Sequence, residues 1–181
     1  MRTHSLRPIL AGALAALALA ACNPTFNWRS YNSPHAPYTV MFPDKPASHT
    51  RSVNLNGLVV NMTMTAVDIN GTMFAVGTAE APDEAAARAA LPAMKTALVK
   101  NIGATITREK TGTSTAAAGS AVPAGPTLDI EANGQNRGEP MRLVGHFAAS
   151  GKRFYQVIAM GKARDLTPEN VDMFMSTFKL Q

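Results

Sequence analysis

Between residues 51 and 79 apolar and polar side chains alternate with period two, and the alternation is interrupted twice by Asn-Gly, at 56–57 and at 70–71. Leu58, Val60, Met62, Met64 and Ala66 fall on one side of an extended chain, and Val59, Asn61, Thr63 and Thr65 on the other. Such a segment is a half-buried strand. Asn-Gly readily takes the positive φ angles of a two-residue hairpin turn, so the stretch predicts three strands in an antiparallel meander. A short strand from Tyr38, stopped by Pro43, precedes it. The period then changes. Pro82-Asp83-Glu84 opens a helix whose apolar stripe runs through Ala87, Leu91, Met94, Leu98 and Ile102. Pro92 predicts a kink, or a break and restart, and Gly103 a C-terminal stop.

After this helix, residues 111–126 (TGTSTAAAGSAVPAGP) lack bulky side chains and predict a flexible loop between strands. Alternation resumes in 127–132 and in Met141, Leu143, Gly145 and Phe147. Ser150-Gly151 turns the chain, and Phe154, Gln156, Ile158 and Met160 run back opposite in phase to Tyr155, Val157 and Ala159. Thr167 caps a last helix with Pro168 and Glu169 in its first turn and with Val171, Phe174 and Phe178 on one face. The order strands, helix, strands, helix predicts an α+β domain built on an antiparallel sheet of about six or seven strands with covering helices.

The N-terminus carries a different pattern. Arg2 and Arg7 precede an apolar run from Ile9 to Ala21, and no acid occurs before the polar Asn23-Pro24. A membrane span needs about 20 apolar residues, more than this run holds, so residues 1–21 read as a cleaved export signal. Leu19-Ala20-Ala21-Cys22 resembles the lipobox of bacterial lipoproteins at all four positions. The resemblance implies a thioether-linked diacylglycerol on Cys22, cleavage before Cys22 and acylation of the new amino terminus. One acyl chain binds a bilayer only marginally at about 0.8 kcal/mol per methylene, and two or three anchor it stably. The alternative is an ordinary signal peptide followed by an incidental cysteine. Asn23, in place of the Asp that retains such proteins at the inner membrane, points to the outer membrane facing the periplasm. Residues 22–37, with isolated Phe26, Trp28 and Tyr31 among Pro, Asn and Ser, read as a tether, and 38–181 as a single α+β domain.

Composition sharpens this address. Cys22 is the only cysteine, so its lipidation leaves the domain without disulfides, cysteine metal sites or thiol nucleophiles. Of 17 basic residues two belong to the signal, which leaves the mature chain at a net charge of about +3 against its 12 acids. Lys and Arg are scattered without interleaved aromatics, which argues against a nucleic-acid partner. The opening Tyr38-Thr39-Val40-Met41-Phe42-Pro43, the order of elements and the terminal Phe174 to Leu180 resemble the PsbP-like α/β/α sandwich proteins, among them the DcrB-like envelope lipoproteins. The resemblance implies a non-enzymatic interaction or assembly factor, held at the membrane through Cys22 and working with an envelope protein partner. It supplies no catalytic residue, and fold alone does not assign a task. A periplasmic lipoprotein binding a small ligand in a groove beside the sheet is the second expectation.

Candidate chemistry is sparse. His35, His49 and His146 show no metal-ligand spacing, and His146 falls out of phase with Met141 and Phe147, on the other sheet face. Asp68, Asp129, Glu131, Glu139, Asp165, Glu169 and Asp172 form no paired-carboxylate motif, and G-x-S-x-G and P-loop patterns do not occur. These patterns predict no catalytic, cofactor or metal residue, with Cys22 the one modified position. Methionine is numerous, at ten. Met62 and Met64 lie about 6.6 Å apart along one strand face and offer two soft thioethers of the kind Cu(I) prefers, although methionine also fills irregular cores. Met173 and Met175 diverge by about 200° on a helix and cannot share a site.

Overall fold

The computed structural model describes residues 25–114 and 123–181. The export signal, Cys22, Asn23 and the centre of the 111–126 stretch lie outside the described residues. The chain is α+β: a seven-stranded and a three-stranded sheet, both antiparallel, with two helices.

The predicted meander is β3 (Ala47–Leu55), β4 (Leu58–Ile69) and β5 (Thr72–Glu80). Its turns sit on the two Asn-Gly pairs, with φ of 59° and 98° at Asn56 and Gly57 and 53° and 84° at Asn70 and Gly71. Each turn is pinned from its own strand end: Asn54 Oδ1 accepts from Gly57 N–H at 2.7 Å, and Asp68 Oδ1 from Gly71 N–H at 2.9 Å. The second group is β6 (Thr105–Thr113), β7 (Pro126–Asn136), β8 (Glu139–Ser150) and β9 (Arg153–Lys162). Pairing of β5 with β9 joins the groups in the order β3-β4-β5-β9-β8-β7-β6. At that junction Gly77 is needed for close approach, since a Cβ there would lie 2.6 Å from Met64 Sδ and 2.8 Å from Gln156 Cγ.

Between the groups runs α1 (Glu84–Asn101). Asp83 caps it by accepting from Ala86 N–H at 2.8 Å. At the other end Gly103 N–H reaches Lys100 O and Ala104 N–H reaches Val99 O, the double bond of a Schellman stop. Of the kink, or break and restart, expected at Pro92, the break does not occur: α1 is continuous through it. Pro92 removes only the N–H facing the Arg88 carbonyl, and both residues are exposed, so water can satisfy that group and the helix continues. The buried side of α1 (Ala87, Ala90, Leu91, Met94) joins Val60, Met62, Leu128, Ile130, Leu143, Phe147 and Ile158 in one apolar cluster.

The opposite sheet face belongs to a second cluster, and here the sequence reading needs correction. β2 (Tyr38–Phe42) does not enter the large sheet; it pairs with β1 (Arg29–Asn32) and with β10 (Lys179–Leu180). Residues of the expected tether 22–37 are thus folded onto the domain: Arg29–Asn32 are a strand, and Phe26, Trp28 and Tyr31 pack against the second cluster. The aromatic side chains that looked isolated in sequence find partners from distant strands. Trp28 meets Phe74 edge-on at 5.7 Å, and Tyr31 meets Phe42 at 5.6 Å. The last helix, α2 (Pro168–Thr177), buries Val171 and Phe174, the latter against Phe42 and Phe74 at 5.4 and 5.3 Å. It stops one residue short of Phe178, which takes extended geometry before β10 and is not on the helix. In the expected loop, Thr111–Thr113 belong to β6 and Pro126 opens β7, while Ser114 and Gly125 bridge the chain between them at 2.8 Å.

Candidate functional site

An open groove of about 720 Å³ lies between the outer face of β6–β8 and the end of α2. Period two decides what its floor presents. Along β7, Leu128, Ile130 and Ala132 turn toward the α1 cluster, so Asp129 and Glu131 fall on the opposite face. On β8 the same rule sends Leu143 and Phe147 inward and Val144 and His146 into the groove. His146 is therefore on the face its phase predicted.

β6 reaches this arrangement through an irregularity. Its register shifts between Ile106 and Arg108, leaving Thr107 unpaired, with its hydroxyl donating to the Glu131 carbonyl at 3.2 Å. Such a bulge changes the phase of the strand. Ile106 packs toward α1, yet Arg108 and Lys110 stand opposite Glu131 and Asp129 on the groove face. The displaced Glu109 instead meets Lys95 of α1 at 2.9 Å.

The result is a cross-strand charge ladder. One row runs Lys110, Asp129, His146, with His146 Nδ1 2.6 Å from Asp129 Oδ1. The next runs Arg108, Glu131, Val144, and Glu131 is held by Arg108 at 3.4 Å and Arg142 at 3.2 Å. These pairs are partly or largely exposed, so each adds little stability, about 0–1 kcal/mol; what they fix is the orientation of the charged groups. The wall is of another kind. Asp172 and Ser176, one turn apart on α2, are exposed, and Met175 and Phe178 line the groove beside them. Phe178 links groove to core, lying 6.0 Å from His146 and 5.7 and 5.9 Å from Tyr38 and Tyr155. Burial raises both phenols, that of Tyr155 to about 12.

Of the residues singled out in sequence, the groove gathers Asp129, Glu131, His146, Asp172 and Met175. His35 and His49 are exposed and lie outside the groove lining, on the turn before β2 and on β3. Asp68 serves a turn, Glu139 meets Lys162 and Arg164, Asp165 meets Arg164, and Glu169 lies in the first turn of α2. Met62 is buried in the α1 cluster and Met64 Sδ takes a hydrogen bond from Gln156 at 3.5 Å, which is core filling for both. No group of three or more His, Cys, Asp or Glu able to hold a metal occurs among the described residues. Arg108, Lys110, Arg142, Ser176 and the groove position of Phe178 were not anticipated. The available signal was the charged phase of 129, 131 and 146; the bulge that brings β6 into line with it left no mark. No family model and no curated protein matches this chain.

Proposed function

We propose that this chain is a lipid-anchored protein of the bacterial envelope that acts without catalysis, by binding a segment of an envelope protein partner in the groove between β6–β8 and α2. The lipobox-like Leu19–Cys22 and Asn23 support acylation of Cys22 and a place on the outer membrane facing the periplasm. The observation that carries the binding reading is the groove itself: open, with paired charges of both signs on its floor and the apolar Met175 and Phe178 on its wall. Ordered ion pairs beside apolar surface suit recognition of a chain segment, where charge complementarity sets specificity. α1 on one face of the large sheet, with α2 and the small sheet on the other, supports assignment to the PsbP-like α/β/α sandwich.

A photo-crosslinking residue at Ser176, exposed on the wall, tests this in intact cells. The expected product is a discrete protein adduct that disappears when Glu131→Lys reverses the centre of the ladder. A second reading, a small ligand in the same groove, is favoured by the 2.6 Å Asp129–His146 pair, which can hold a polar headgroup. No adduct at Ser176, together with a small molecule retained in native mass spectra, would favour that reading over a protein partner.

A further inference from the structure

We infer that the folded domain sits directly against the bilayer interface, with the Phe26–Trp28 edge and the adjoining β4–β5 turn facing the headgroups. The inference rests on the reading of Cys22 as the acylated residue, and it concerns what surface that anchor brings to the membrane. A tether ending at residue 37 would let the domain stand off by tens of Å, at roughly 3.3–3.6 Å per extended residue. The fold removes that slack. Asn27 N–H donates to the Pro43 carbonyl at 2.7 Å, and Phe26 and Trp28 stack at 6.1 Å and both lean on Phe74. From Cys22 to Phe26 there remain only four residue steps, with Pro24 among them. Fully extended they reach at most about 14 Å. With the acyl chains in the hydrocarbon, the headgroup layer of one leaflet, about 5–8 Å deep, takes up much of that reach.

The geometry of the sheet says which end is lowered. Phe74 pairs with Val67, two residues before the end of β4, and Ile69 packs on the same cluster as Phe26 and Trp28. The chain therefore leaves the domain beside the Asn70-Gly71 turn. Strand directions put the Arg137-Gly138 turn and the end of β9 at Lys162 at that same end of the sheet. Phe26 and Trp28 are both half-buried on the protein, and Trp is a side chain that favours the bilayer interface. The occupant of this edge is the headgroup layer of a phospholipid bilayer.

Trp28 is the only tryptophan of the chain, so its emission reports this edge alone. The full-length protein, purified from membranes with its intact mass recorded, is reconstituted into phosphatidylethanolamine–phosphatidylglycerol vesicles with and without phospholipid brominated near the top of the acyl chains. The expected result is loss of Trp28 emission in the brominated vesicles, and recovery when a long Gly/Ser spacer is inserted between Pro24 and Thr25. Acylated Cys22 with no quenching would overturn the seating and leave the anchor standing. Quenching that survives the spacer would overturn the short link as its cause. An unmodified Cys22 would remove both the seating and the anchor beneath it.

Discussion

Thr78 is buried on β5 with no hydrogen-bond partner for its hydroxyl among the described residues, in a strand otherwise filled by Phe74, Ala75, Val76 and Ala79. A buried hydroxyl left unsatisfied costs about 1–3 kcal/mol. Thr78→Val, close in shape, is expected to raise the urea midpoint by an amount equivalent to about 1 kcal/mol with an unchanged m-value. Tyr155 gives a prediction in pH. Its phenol is pushed up from 10.0 to about 12 by burial, with Arg153 opposing and Tyr38 adding to the shift. The folded state then keeps this proton where the unfolded chain releases it. The contribution is complete below pH 10 and is lost as pH rises through 12, on the order of 2–3 kcal/mol over the window. Tyr155→Phe should flatten the fall in unfolding free energy between these pH values; an equally steep fall would place the alkaline sensitivity elsewhere. Neither property was legible in the sequence, because both depend on which neighbours surround a side chain once strands 70 residues apart have paired.

At the level of elements, local chemistry and long-range pairing divide cleanly. The Asn-Gly turns, the caps at Asp83 and Thr167 and the stop at Gly103 are short-range devices, and each acts where its residues stand. Pairing partners are not local. β1, β2 and β10 come from the two ends of the described chain and were unreadable as a sheet, since nothing within Arg29–Asn32 or Lys179–Leu180 reports the other. The bulge at Thr107 is likewise a response of β6 to β7. β1 separates the two descriptions of the N-terminal segment experimentally. Deleting residues 25–32 uncovers Phe74 and Phe42 and removes the Trp28 and Tyr31 contacts. Loss of buried aromatic packing costs about 3–5 kcal/mol per large side chain in a core, and about half of that is expected for these half-buried ones. A tether would be dispensable, so an unchanged thermal midpoint for this deletion would contradict the packed arrangement.

For the whole molecule, one large sheet carries two distinct surfaces to its environment. One is the edge where the chain leaves toward Cys22; the other is the groove on the β6–β8 side, roofed at one flank by the end of α2. Reversing Glu131 to Lys leaves Arg108 and Arg142 facing a third cation; Glu131 is half-buried and its two pairs reach solvent, so a folding cost of about 1 kcal/mol is expected. A loss of groove crosslinking in that variant with a nearly unchanged thermal midpoint would therefore report binding rather than folding. The floor was half legible: the charged phase of Asp129, Glu131 and His146 was present in the sequence, whereas the cations opposite them depend on the bulge and the wall on where α2 comes to rest. The address rests on Cys22, and the most direct test of it is the mass of the N-terminal peptide recovered from the membranes of the host. Acylated Cys22 in the proposed lipoprotein predicts a peptide beginning at Cys22 and carrying a diacylglyceryl thioether and an amide-linked acyl chain, absent in Cys22→Ser. A peptide with a free Cys22 thiol, or one cleaved at another residue, would contradict it, and with it the membrane surface on which the domain is proposed to work.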